Sequence, residues 1–258
     1  VYGVFQDKTG RLWAGSSDKG VNYKKSGQFY TLTKQEGLSS EAVVSISESP
    51  DGALWFATLG GGIDRYKNGR MEIFDRQRGL ASNFYRVVMT DAKGETWAGS
   101  VEGNIYRWVN DTFTLVADVN SRVNTLHKDT KGVLWAGTFD SGLCRIDVSL
   151  GKVEVFDMKK GLSNDTVLCI HEDERQPGLL WVGTGSGLNR FREGKFSLLR
   201  KKNGLPDDTV YWILEDHKND FWISSNRGIY RLKRKDFEDF FNGNVTAVQP
   251  SLYGKENG

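Results

Sequence analysis

A tryptophan returns along this chain at nearly constant distance. Trp13, Trp55, Trp97, Trp135, Trp181 and Trp222 are separated by 42, 42, 38, 46 and 41 residues. Recurrence at roughly 20 to 50 residues marks a chain built from one supersecondary unit used repeatedly, each copy burying its apolar face on the next. The phrases around the anchors agree: Leu12-Trp13-Ala14-Gly15-Ser16, Leu54-Trp55-Phe56-Ala57-Thr58, Thr96-Trp97-Ala98-Gly99-Ser100, Leu134-Trp135-Ala136-Gly137-Thr138, Leu180-Trp181-Val182-Gly183-Thr184 and Phe221-Trp222-Ile223-Ser224-Ser225. Six copies fill the 258 residues.

Each unit reads as four short strands. The segment before the tryptophan carries an apolar anchor near its middle, at Val4, Ile46, Val88, Leu126, Ile170 and Ile213. A tight turn follows. In Asp7-Lys8-Thr9-Gly10, Asp91-Ala92-Lys93-Gly94 and Asp129-Thr130-Lys131-Gly132 the aspartate can cap a type I turn, and the glycine can close a hairpin at positive φ. After the tryptophan strand comes a small polar loop ending in glycine, then a third strand such as Gly62-Ile63-Asp64-Arg65-Tyr66 or Gly187-Leu188-Asn189-Arg190-Phe191. A fourth strand carries an aromatic residue and leads to Gly-Leu.

Four strands in about 42 residues, with turn residues at every junction, are the pattern of a propeller blade rather than of a helical solenoid. The expected fold is all-β, a propeller of six four-stranded blades over approximately 1–38, 39–80, 81–119, 120–162, 163–205 and 206–258, with the first strand innermost. The tryptophans are then core, filling the wedge between blades, and the inner ends must carry small residues. One segment departs. Asp236-Phe237-Glu238-Asp239-Phe240-Phe241-Asn242-Gly243 reads as a single helix between strands three and four of blade six, with Asp236 as N-cap.

Gly-Leu recurs at Gly37-Leu38, Gly79-Leu80, Gly161-Leu162 and Gly204-Leu205, followed at a fixed interval by an apolar strand, an acid, a turn and the tryptophan phrase. This pattern resembles the two-component regulator propeller repeat, found in periplasmic sensor regions of bacterial hybrid histidine kinases and related receptors. The resemblance covers essentially the whole chain. It is best over Gly37 to Tyr66 and weakest in blade three, where Val116-Ala117-Asp118-Val119-Asn120 replaces Gly-Leu and should give a connection of different shape. The resemblance implies a ligand-sensing propeller, often part of a seven-bladed ring, in a receptor with a membrane helix and an output module elsewhere. On that basis the six blades are expected to open between blades one and six, and the location is expected to be periplasmic.

Composition excludes other classes. Lys and Arg number 35 against 33 Asp and Glu, interspersed along the length, which argues against a nucleic-acid stripe or a polybasic membrane patch. No apolar run reaches the roughly 18 to 20 residues that span a bilayer, and Val1-Tyr2-Gly3 lacks the regions of a signal peptide. No nucleic-acid partner and no membrane insertion by this segment are expected. Cys144 and Cys169 have no metal-like spacing and read as buried free thiols.

His127 and His171 share one register position in adjacent units, which invites a metal reading. The other units place Phe5, Ser47, Met89 and Leu214 there, so packing between blades is the expected role and no metal or cofactor is expected. His217 lies in a turn and should be solvated. Carboxylates such as Glu41, Glu102, Asp140, Asp165, Asp207 and Asp208 fall near loops, but no Gly-x-Ser-x-Gly, HExxH, P-loop or dinucleotide motif accompanies them, and Gly60-Gly61-Gly62 precedes no helix. No catalytic residue is expected.

The variable positions lie just before the anchors: Ala42, Val44, Phe84, Tyr85, Arg86, Arg122, Asn124, Thr166, Thr209 and Tyr211. Arg86, Arg122, Tyr85 and Tyr211, with Asp140 and Arg227 from the loops between strands two and three, are the expected ligand-binding residues. Guanidinium groups and rings suit anions and sugars, so an acidic oligosaccharide or other small ligand is the expected partner, besides the rest of a parent receptor and, as a further option, a second copy of the chain. A protein-interaction propeller and a propeller lyase or glycosidase stay open beside it.

Overall fold

The computed structural model describes residues 2–253; the reading of Val1 and of the stretch beyond Tyr253 as blade ends lies outside them. Six antiparallel sheets follow one another, each with four strands in chain order. They run from Gly3–Gln6 to Gln28–Leu32, Val43–Glu48 to Arg70–Phe74, Tyr85–Thr90 to Thr112–Asp118, Val123–Lys128 to Lys152–Phe156, Val167–Glu172 to Lys195–Leu199, and Trp212–Glu215 to Ser251–Tyr253. These are six blades of a β-propeller, as the repeat predicts. No helix among the described residues is long and apolar enough to cross a membrane.

The turn between the first and second strands is organised by one side chain. Asp7 Oδ1 accepts the N–H groups of Thr9 and Arg11 at 2.9 Å each, while Oδ2 accepts the indole N–H of Trp13 at 2.8 Å. The same bond recurs from Trp97 to Asp91 at 3.1 Å, Trp135 to Asp129 at 2.9 Å and Trp222 to Asp216 at 2.8 Å. Blade five has two extra residues in this turn, yet Trp181 still donates to Asp173 at 3.0 Å. Blade two uses Ser49, whose hydroxyl accepts the Trp55 indole at 3.0 Å and donates to Asp51 at 2.5 Å. A buried indole N–H left without an acceptor would cost about 1 to 3 kcal/mol, so the turn carboxylate is what lets the ring be core.

By internal packing the chain divides into two compact units. One runs to Leu126 and takes in Val148–Val153; the other holds His127–Asp147 and the chain from Glu154 onward. In the first unit Trp13 meets Phe56 of blade two at 6.3 Å between ring centroids, and Trp55 meets Trp108 and Phe113 of blade three at 4.9 and 5.7 Å. In the second, Trp135 meets Phe191 at 5.4 Å, and Trp181 meets Phe221 and Phe237 at 5.5 and 4.9 Å. These four rings therefore fill the space toward the following blade. The glycine two residues on serves the narrow end of the wedge: a Cβ on Gly99 would lie 2.6 Å from Val123 Cγ1, and one on Gly183 would lie 2.7 Å from the Val210 carbonyl oxygen. Only glycine permits that approach.

Two expectations need correction. Ile46, Val88 and Ile213 are buried anchors, but Val4 is 70% exposed. Val4, Leu12 and Ala14 share the face of blade one opposite Trp13 in the strand register, and Leu12 is exposed with it. Ile46, by contrast, lies in one apolar cluster with Trp13 of the blade before it. The helix lies between strands three and four of blade six as expected, but it spans Arg234–Phe241 and its N-cap is Lys233, with Asp236 inside the first turn. The first helical N–H, that of Arg234, donates to Asp220 Oδ1 at 3.1 Å, and its guanidinium pairs with buried Asp173 at 3.0 Å and with Glu215. A carboxylate distant in sequence supplies the cap, and no local pattern encodes it. The connection after blade three differs as expected: the strand continues to Asp118, and Asn120 turns the chain at φ 51°.

Asp129→Ala removes the acceptors of both the Trp135 indole and the Val133 N–H, at 2.9 and 2.8 Å. It is expected to destabilise the protein by about 2 to 4 kcal/mol, read as a lowered denaturant midpoint, with Asp129→Asn recovering part of the loss.

Candidate functional site

Hydrogen bonds join the loop between strands two and three of one blade to the lead-in of the next. In the first unit Gly60 and Gly62 donate to the Asn83 carbonyl at 2.9 and 2.8 Å; in the second, Gly142 donates to the Asp165 carbonyl at 2.9 Å. Each Gly-Leu phrase ends a single 3-10 turn. At Gly37 the chain turns with φ 99°, and the leucine that follows, Leu38, is buried. The N-termini of these turns are closed by side chains from the lead-in: Asn83 accepts from Arg76 N–H at 2.9 Å, Asp165 from Met158 at 2.8 Å and Asp208 from Lys201 at 2.7 Å. Asp165 and Asp208 are thus structural acceptors in loops that hold the blades' edge.

The first strands carry a β-bulge at one repeated position. Residues 43 and 45 pair with 58 and 57, residues 85 and 87 with 100 and 99, and residues 167 and 169 with 184 and 183, so Val44, Arg86 and Leu168 each stand outside the ladder. Bulges release a side chain from the regular pattern and recur beside binding sites. In the same register stand Asn124 and Tyr211, and this is why the sequence varies there.

The expected site residues sort onto this frame. Arg86 is the bulge residue of blade three and is half-exposed. Arg122 precedes the first strand of blade four and donates from Nε to Asn124 Oδ1 at 3.3 Å. Tyr85 does not offer its ring to the rim. It is fully buried, its hydroxyl has no partner among the described residues, and burial raises its pKa. The register explains the correction: Val43, Val123, Val167 and Val210 occupy the same position and are all fully buried. In the second unit Tyr211 is 46% exposed and its hydroxyl donates to Asn226 Oδ1 at 2.7 Å; Asn226 donates in turn to Asp207 Oδ1 at 3.2 Å. Arg227 is exposed next to Asn226 in the loop that the Tyr211 hydroxyl reaches. Asp140 is exposed in the loop of blade four next to Phe139, an exposed ring that reading of the sequence missed. Asn226 carries no signal in the sequence either, because its role depends on Tyr211 and Asp207, 15 and 19 residues before it.

Other titratable groups are tied to the fold. His127 and His171 lie between blades, His171 Nε2 at 3.3 Å from Glu215 and His127 Nε2 at 3.8 Å from Glu172. Burial holds His127 below its ordinary pKa against the pull of Glu172. Among the described residues no group of three His, Cys, Asp or Glu is placed to hold a metal. Cys144 and Cys169 are buried free thiols pushed up to about 12 by burial, which keeps them unreactive. Asp64 is fully buried and burial raises its pKa to about 6; Oδ2 accepts the Ser39 N–H at 2.9 Å and Oδ1 has no partner. Its equivalent in blade five, Asn189, makes the same bond to Ser163 at 3.0 Å and donates to the Val182 carbonyl at 3.1 Å.

Comparison with known proteins agrees with the repeat. The two-component regulator propeller family matches at residues 37–60 and 204–227. No curated protein matches by sequence. Among solved structures, the extracellular domain of a protein named as a hybrid two-component system of B. thetaiotaomicron superposes over 100% of this chain and 34% of its own, with TM-score 0.79 and 23% identity. The extracellular domain of a second protein of that organism, named as a one-component system, superposes over 89% of this chain and 32% of its own, with TM-score 0.71 and 20% identity. Virginiamycin B lyase from Staphylococcus aureus superposes over 98% of this chain and 84% of its own, with TM-score 0.76 and 16% identity. The chain spans about a third of the length of the first two. At these identities the likeness is one of fold.

Because the folded pKa of Asp64, about 6, lies above its unfolded value of 3.8, its contribution is fully present below about pH 3.8 and is lost as pH rises through 6. Asp64→Asn is expected to stabilise the protein by on the order of 2 kcal/mol at pH 7.5, with the gain vanishing toward pH 4. Denaturant midpoints across that range check it; a gain independent of pH contradicts it.

Proposed function

Because the chain carries two-component regulator propeller repeats, we propose that it is the ligand-sensing part of an extracytoplasmic receptor that passes its signal to an output module of the same protein. The observation that carries this reading is the family match at residues 37–60 and 204–227. Likeness of fold to extracellular domains of two signalling proteins supports it. The ligand is a small polar molecule, with an acidic oligosaccharide favoured, and the location is the periplasm.

The contacts we assign are those that the blade frame leaves variable and accessible. In the second unit they are Tyr211 and Arg227, a ring and a guanidinium, with Asn226 and Asp207 as fixed polar neighbours. In the first unit they are Arg86 at the bulge and Arg122 beside Asn124. A ring stacks on a sugar face, and a guanidinium forks two hydrogen bonds to a carboxylate or to vicinal hydroxyls. Likeness to a lyase does not carry catalysis here, since at 16% identity it is a likeness of fold alone.

Thermal melting against a panel of neutral and acidic oligosaccharides tests the proposal, because a ligand of the folded state alone raises the melting temperature by mass action. One acidic class is expected to raise it, with the saccharide recovered uncleaved. Tyr211→Ala and Arg86→Ala are expected to leave the ligand-free melt unchanged, and at least one to weaken binding about tenfold or more, as loss of a charged or stacking contact does. No response from any class, or full affinity in both variants, contradicts the reading.

A further inference from the structure

The third strand of five blades carries an arginine directly opposite the repeat tryptophan: Arg65, Arg107, Arg145, Arg190 and Arg231. Four of them are neutralised by a carboxylate. Arg65 pairs with Asp51 at 2.7 Å and Glu72 at 3.5 Å, Arg107 with Glu95, Arg145 with Glu154 at 3.7 Å and Arg231 with Asp220 at 3.6 Å. The acids come from three register positions, one of them held by Asp51, four residues before Trp55. Glu95 and Asp220 stand two residues before the tryptophan, and Glu72 sits directly opposite Arg65 on the fourth strand.

Blade five lacks all three, and Pro177 stands four residues before Trp181. Leu179 stands two residues before Trp181, and Ser197 is opposite Arg190. Asp173, the turn carboxylate nearby, is taken by Trp181 and by the buried Arg234. Arg190 consequently has neither an ion pair nor a hydrogen bond among the described residues. Its guanidinium lies over the Phe241 ring at 5.6 Å, partly buried, and burial together with Arg192 holds its pKa below the ordinary value. The half-buried charge opens onto two adjoining hollows. One, of about 220 Å³, is lined by Trp181, Phe237 and Phe241 together with Arg190, Arg192 and Glu238, the last 3.7 Å from Arg234. The other, of about 260 Å³, is lined by Arg190, Arg192, Lys195 and Ser197, with Glu193 at its exposed margin.

We propose that this outer hollow of blade five, between its third strand and the helix Arg234–Phe241, binds the carboxylate of a small ring-bearing acid. Arg190 takes from the ligand the partner that its four equivalents find within the chain. Lys195 adds positive charge at the mouth, where Arg192 is offset by Glu193 at 3.8 Å and donates to Gln176 at 3.3 Å, and the Phe241 ring gives the body of the ligand an apolar wall. The site is separate from the Tyr211 edge and does not depend on it.

Calorimetric titration with D-glucuronate tests the proposal, with D-glucose, sodium sulfate and potassium chloride at matched ionic strength as controls. Glucuronate is expected to bind at least tenfold more tightly than glucose or sulfate. Arg190→Gln is expected to abolish the response. Ser197→Glu restores the internal pair seen between Arg65 and Glu72, so it is expected to abolish the response while raising the melting temperature of the ligand-free protein. Tyr211→Ala and Arg86→Ala are expected to leave the response intact, which separates this site from the sensing contacts. Glucuronate binding no stronger than sulfate, or a response retained in both Arg190→Gln and Ser197→Glu, overturns the proposal.

Discussion

A hydrogen bond from the repeat indole to a side chain in the preceding turn recurs in all six blades, five times from a buried ring, and the rest of the fold is arranged around it. One acceptor does two jobs. It satisfies the backbone N–H groups that a tight turn exposes, and it satisfies the one polar atom of the ring that fills the wedge between blades. The turn is thereby fixed relative to the core, and the ring is held at the angle at which the next blade can pack on it. Blade five shows that the bond outranks the spacing: two inserted residues lengthen the turn, and Asp173 still reaches Trp181 at 3.0 Å. Blade two shows that it outranks the residue type, because Ser49 and Asp51 share the task elsewhere done by one aspartate.

A second row of contacts ties three of the blades to the blade before them from the end of the first strand. Glu48 accepts the Lys8 N–H at 2.8 Å, Glu172 the Thr130 N–H at 2.7 Å and Glu215 the Glu174 N–H at 3.2 Å. These carboxylates bind the turn of the blade before them, so turn and core are secured from both sides. Around blade five this row is recruited to another purpose. Glu215 and Asp173 receive Arg234, which seats the helix against Trp181 and Phe221, and the third-strand arginine of that blade is left without its usual acid. Local departure from the repeat, rather than any motif, is what makes the hollow beside Arg190 chemically distinct.

Much of this was legible in the sequence because the relevant signals are local. The tryptophan period, the Asp-x-x-Gly turns and the Gly-Leu phrases each describe a few consecutive residues, and the structure has them in the six blades expected. Tyr85 shows what local reading misses. A tyrosine near a rim looks like a ligand contact, yet it occupies the inward position that four other blades fill with valine, and only comparison of the blades in register reveals it. Arg86, one residue further on, is released by the bulge. The start of the helix depended on a partner distant in sequence, Asp220. No residue-level pattern records it.

Hydrogen exchange at the indole N–H groups, resolved by two-dimensional nitrogen-correlated NMR, measures the central bond directly. Trp13, Trp55, Trp97, Trp135 and Trp181 are buried and donate to a turn acceptor, whereas Trp108 and Trp212 donate to none among the described residues. The account predicts five strongly protected indoles whose exchange follows global unfolding, with Trp212 exchanging at once and Trp108 well before the five. Exchange of any of the five at the rate of Trp212 would contradict it.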